Sequence, residues 1–260
     1  MTPKANNLKP TVMLIWRAVA YPLTIPTRGQ WFRPTKRKVT DMFSLQKWGA
    51  AAGFGAAATY VFGFVLLLTV LAGSGYGMAD ADPASVVSFV VSERQLMTSW
   101  YTIIYVVNGF LVALLAIALA DIFKPHAPTL SSVIQVFGAL WATLVVGAGM
   151  VANVGKEVVA SQYASDPEAA VLMWQIFSGV ENGLGGGNEI AGAVWALVAG
   201  AAMLRTALMP KPLGFFSFLI GVSGLLTLIP ALNDTAGSVF GLGYIAWFVW
   251  VGFVLLSRKA

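Results

Sequence analysis

Two carboxylates, Glu181 and Glu189, stand inside an otherwise apolar stretch of this chain, and each has an asparagine beside it. The run reads Glu181-Asn182-Gly-Leu-Gly-Gly-Gly-Asn188-Glu189, an acid and an amide on either side of a glycine-rich centre. An ionisable group at the middle of a membrane helix costs roughly 2.5–3.5 kcal/mol on insertion scales, and is tolerated where it has a partner or a role. Two roles fit the pattern. A helix broken at membrane depth gathers backbone ends and carboxylates around an ion or polar solute. Alternatively the bend lies at the outer interface, and Glu189 caps the following helix near its positive end. Asn108, Gln135, Asn153 and Gln175 are further polar residues within apolar segments. Singly such residues hold helices together by hydrogen bonds; with the two glutamates they could line one polar pocket.

Other chemistries lack their residues. There is no cysteine, which removes disulfides, thiolate metal sites and cysteine nucleophiles. His126 is the single histidine, so a multi-histidine metal or haem site cannot come from this chain alone. No phosphate-binding loop, HExxH pair, serine elbow or dinucleotide fingerprint occurs. No catalytic residue, metal site or cofactor is expected. Tyr244, Trp247, Phe248 and Trp250 crowd the last apolar segment; a pigment or quinone could stack there, but core packing or interface anchoring is the commoner use of such aromatics.

The elements that must position these residues follow from composition. Apolar and aromatic residues make up 58% of the chain and charged residues 10%, against about a quarter charged in soluble domains. The apolar residues fall in long blocks, as bilayer solvation requires. The fold class is therefore all-α: a polytopic membrane protein, a bundle of about six transmembrane helices with a broken, glycine-rich segment before the fourth. The spans are expected near 49–72, 100–120, 130–154, 188–207, 213–230 and 238–257. Residues 83–97, opened by Asp82-Pro83, read as a short interfacial helix. A single helix over 169–207 would be about 58 Å long, nearly twice the roughly 30 Å bilayer core. The segment is thus read as a shallow or re-entrant helix over 169–182, a bend, and the fourth span. Small residues at four-residue spacing, Gly49 and Gly53, Gly192 to Gly200, and Gly237 and Gly241, allow close helix packing within the bundle or at an oligomer face.

Residues 1–46 form a separate basic arm, expected to be flexible or surface-lying, with translation starting at either Met1 or Met42. Nine of the 16 Lys and Arg residues precede the first apolar block: Lys4, Lys9, Arg17, Arg28, Arg33, Lys36, Arg37, Lys38 and Lys47. Their position beside a span favours anionic lipid headgroups over nucleic acid as partner. With the amino terminus inside, Lys124, Arg205, Lys211, Arg258 and Lys259 join them, leaving Arg94 and Lys156 outside. That bias puts both termini in the cytoplasm.

From about Gln46 to Arg258 the layout resembles the bacterial integral-membrane domain of unknown function numbered 4386 in family collections. The resemblance rests on Trp174-Gln175, the run from Asn182 to Glu189, Trp195 with its basic end at Arg205, Pro210-Lys-Pro-Leu-Gly214, the span from Gly221 to Pro230, and the aromatic last helix ending in Arg258-Lys259. It implies a six-helix bundle in the bacterial inner membrane and supplies no catalytic residue. Three functions stay open: a non-enzymatic accessory or sensor subunit, bound to a membrane partner or to its own copies; a carrier of a small polar solute or ion through the Glu181–Glu189 bend; and an enzyme acting on a lipid-soluble substrate. The first is the expectation.

Overall fold

The computed structural model describes residues 39–78 and 80–258, and every element among them is helical. The basic arm expected ahead of the bundle lies, over residues 1–38, outside the described residues. Helix α1 is Val39–Leu66, so helix reaches back past the expected boundary at residue 47. It continues into a π-helical stretch, Leu67–Leu71, and a short 3-10 turn, Ala72–Ser74. The others are α2 (Pro83–Ser92), α3 (Arg94–Tyr101), α4 (Asn108–Phe123), α5 (Pro128–Tyr163), α6 (Pro167–Glu181), α7 (Ile190–Thr206), α8 (Lys211–Leu226) and α9 (Asn233–Ser257). A π-helical stretch, Thr102–Val107, joins α3 to α4.

Five helical segments are long and apolar enough to cross a membrane: Leu45–Ser74, Arg94–Phe123, Pro128–Tyr163, Pro167–Thr206 and Pro230–Ser257. The chain is a multi-pass membrane protein on that ground. Its surface agrees, since Phe110, Val136, Met150, Phe215, Leu242 and Phe253, from four helices, are each more than half exposed. Water does not tolerate so much exposed apolar surface on a monomer, whereas lipid does.

The boundaries differ from expectation where local chemistry intervenes. The helix expected over 83–97 splits at Glu93, whose backbone leaves the helical region. Its second part runs on into the second long segment as α3, ahead of the expected start near 100. Asp82 caps α2 by accepting from the amides of Ala84 and Ser85 and from the Ser85 hydroxyl. That hydroxyl first, then the two amides, hold its carboxyl below the usual range. The third span was expected to end near Lys156 and Glu157, but α5 continues to Tyr163. Lys156 is 2% exposed, and its charge is matched within the helix by Glu157 at 2.6 Å. Glu157 in turn faces Arg94 at 3.5 Å.

The helices close a ring. α1 packs on α4, α4 on α5, α5 on α7, α7 on α8, α8 on α9, and α9 returns to α1. α6 packs on α5, and α2 lies against both. Glycines set the closest approaches. A methyl group on Gly53 would meet the Phe248 carbonyl at 2.9 Å, and one on Gly200 the Gly214 carbonyl at 2.9 Å. Aromatic side chains fill the centre. Trp195, Tyr244, Trp247 and Phe248 are fully buried, with Trp141 stacked among them. Three polar handles are satisfied, as burial demands: Tyr244 donates to the Gly192 carbonyl at 2.8 Å, Trp247 to the Ser217 hydroxyl at 2.7 Å, and Trp195 to the Ile134 carbonyl at 3.1 Å. Of the four aromatics singled out in the last helix, Trp250 alone is turned outward, 37% exposed.

Candidate functional site

After α6 the chain takes a π-helical stretch, Asn182–Gly186, inside which Gly185 adopts φ 144°. An L side chain is strained there, and glycine is not. Gly187, Asn188 and Glu189 lie outside any helix before α7 begins. Asn188 braces the turn by donating its side-chain amide to the carbonyls of Asn182 and Gly183, at 3.0 and 3.1 Å. Glu189 occupies the N-cap position of α7, yet its carboxylate takes no hydrogen bond from the helix's first amides. Its backbone amide instead donates to the Thr227 hydroxyl at 3.3 Å.

Two cavities flank this turn. The first, about 420 Å³, is bounded by the end of α1, the π-helical stretch before α4, the middle of α5 and the start of α9. Tyr60, Trp100, Asn108, Trp141, Glu189 and Asp234 are among its walls. The second, about 670 Å³, lies between the loop that follows α1 and the inner face of α6. Glu181, Asn182, Gln175 and Tyr76 line it. Leu67, Trp100 and Tyr105 belong to both cavities and so form the partition between them.

Two of the π-helical stretches give residues to that partition, and the third lines both cavities. The first gives Leu67 to both cavities and the second gives Tyr105 to both. The third gives Gly185 to one and Asn182 to the other. π-helical turns are rare and concentrate at functional sites, because the extra residue turns side chains out of register and frees carbonyls. Hydrogen bonds fix the partition. The Tyr105 hydroxyl donates to Glu181, which is only 7% exposed. Trp100 donates to the Gly63 carbonyl at 3.2 Å, and the Tyr76 and Tyr101 hydroxyls share a hydrogen bond at 2.7 Å. Burial foremost, with Glu181 nearby, pushes the Tyr76 phenol above its ordinary value, so it stays protonated.

The single polar pocket expected from the sequence is therefore divided. Glu189 and Asn108 line the first cavity, whereas Glu181, Asn182 and Gln175 line the second. Asn108 is buried and donates to the Thr59 hydroxyl at 2.7 Å. Asn153 lines neither cavity; it donates to Thr102 at 3.3 Å, and its side-chain carbonyl finds no partner among the described residues. Gln135 is exposed on the outer face of α5. Tyr105, Trp100 and Asp234 were missed. A tyrosine within an apolar run, as in Thr102-Ile-Ile-Tyr-Val-Val107, is the signal that could have found the first, since its hydroxyl needs a partner in lipid. Among the described residues, no three His, Cys, Asp or Glu side chains come together as a metal site.

No family model, curated protein or solved structure matches the chain.

Proposed function

We propose that the chain is a carrier of a small polar solute, which occupies the first cavity. The observation that supports this most directly is a polar cavity, lined by Glu189 and Asn108, to whose walls all three π-helical stretches of the described residues contribute. Carrier sites are built from interrupted helices. An accessory subunit needs no such cavity.

The same reading covers topology and kinship. We assign six crossings, with α8 as the fifth, although its 16 residues span only about 24 Å. Its place in the ring between α7 and α9 supports this. The segment from Pro167 to Thr206 then forms a re-entrant α6 followed by the α7 crossing. Both ends lie in the cytoplasm of a bacterial inner membrane, and the kinship proposed is with the domain numbered 4386.

The test uses the cysteine-free sequence. Val145 lines the first cavity and is 7% exposed. A single Val145→Cys thiol should react with a membrane-impermeant reagent from either side of the membrane in turn. Reaction from one side only would fit a receptor rather than a carrier, and protection from both sides would remove the solute site altogether.

A further inference from the structure

The first cavity is chemically one-sided. Among its described lining residues the charged groups are two carboxylates, Glu189 and Asp234, with no Lys, Arg or His. The second cavity repeats this, with Glu181 as its sole charged residue among those described. The bias is local, because the whole chain carries a net charge of +5.

Glu189 differs from the other two acids in lacking a partner. Glu181 accepts from Tyr105. Asp234 is exposed at the mouth, in the first turn of α9, where an acid suits the helix dipole. Nothing among the described residues donates to the Glu189 carboxylate, although the side chain is half-buried beside apolar walls. A carboxylate withdrawn from bulk water stays ionised only with a cation or donors to compensate it. Here these must come from what enters the cavity.

The remaining walls narrow the choice. Tyr60, Phe64, Trp100, Tyr105 and Trp141 supply aromatic rings, whose faces attract cations, organic ammonium ions above all. A divalent metal ion would instead require several oxygen ligands, and no such group of acids converges among the described residues. The volume of about 420 Å³ falls in the range of small-molecule pockets, which begins near 300 Å³, and is far larger than a lone ion needs. Resting on the reading of this cavity as the solute site, we propose that it binds a small organic cation, a primary amine or quaternary ammonium. The charged nitrogen sits between Glu189 and the aromatic walls, and Asp234 draws it to the mouth.

The test is protection of the Val145→Cys thiol in the full chain. The probes are choline, tetraethylammonium and benzylammonium, set against the neutral analogues 3,3-dimethylbutanol and benzyl alcohol. At least one ammonium probe should slow labelling about tenfold, and its neutral analogue should not. Glu189→Gln should weaken that protection about tenfold, which corresponds to about 1.4 kcal/mol, while unprotected labelling keeps its rate. Asp234→Asn, at an exposed position, should weaken it a few-fold, and less so at high salt. Equal protection by the neutral analogues, or protection unchanged in both variants, overturns the cation assignment. So does a thiol that labels readily but that no ammonium probe protects, an outcome that leaves the polar-solute carrier standing. A thiol that no reagent reaches overturns both.

Discussion

At the scale of single residues, Tyr105 and Glu181 bear the clearest structural cost. Glu181 is 7% exposed, and the Tyr105 hydroxyl is its donor. Tyr105→Phe leaves that buried acceptor unsatisfied, which should cost about 1–3 kcal/mol. The measurement is thermal unfolding in detergent. In a Glu181→Met background, where the acceptor is gone, Tyr105→Phe should cost less than half as much; equal costs would mean that the two side chains are not coupled. The two glutamates were legible in the sequence because carboxylates in an apolar run stand out. Their different surroundings were not legible. Which acid meets Tyr105 is decided by the π-helical stretch Thr102–Val107, and no periodicity in Thr-Ile-Ile-Tyr-Val-Val announces a change of helical register. Nor could the sequence place Asn153: α5 turns it toward Thr102, and it lines neither cavity.

At the scale of elements, the small-residue spacings mostly describe packing within the chain. Gly49 abuts Ala118 of α4, Gly53 abuts α9, and Gly192 lies against Trp141 and Phe240. Gly237 breaks the pattern, with nothing within 4 Å of an added methyl group, because it faces the first cavity. Sequence spacing alone could not separate these cases, since a cavity wall and a packed seam both want small residues. Gly138 is a tighter contact that spacing did not pick out: a methyl group there would stand 2.3 Å from the Ala116 side chain and 2.8 Å from the Trp195 indole nitrogen. That nitrogen holds the Ile134 carbonyl, so overpacking also threatens a buried hydrogen bond. Gly138→Ala should therefore destabilise by about 1–3 kcal/mol. Gly237→Ala should be neutral, or stabilise by up to about 1 kcal/mol through lost backbone freedom in the unfolded chain. Similar melting points for the two variants would show that the ring is looser at α4–α5 than its geometry implies.

At the scale of the whole molecule, the all-helical membrane class was legible because lipid leaves the backbone no other way to satisfy its hydrogen bonds across apolar segments of this length. The number of crossings was less so. Composition measures apolarity, and α8 is apolar but short, 16 residues against 36 for α5. Its crossing therefore depends on the company it keeps. Gly200 and Gly214 bring α7 and α8 together, while Gly224 lies against Phe240 of α9 and Gly243 against Ile220 of α8. On the six-crossing proposal, contacts of this kind along both neighbours carry α8 through the same depth as they do. That proposal puts the loop before α8 and the turn after α4 on one face, and the loop before α2 on the other. Single cysteines read this directly. Asp80→Cys should react with an impermeant thiol reagent from outside intact cells, whereas Lys124→Cys and Lys211→Cys should react only after permeabilisation. External reaction at position 211 with protection at position 124 would put the two loops on opposite faces. α8 would then not cross in the sense proposed, and the ends of the bundle would fall on different sides.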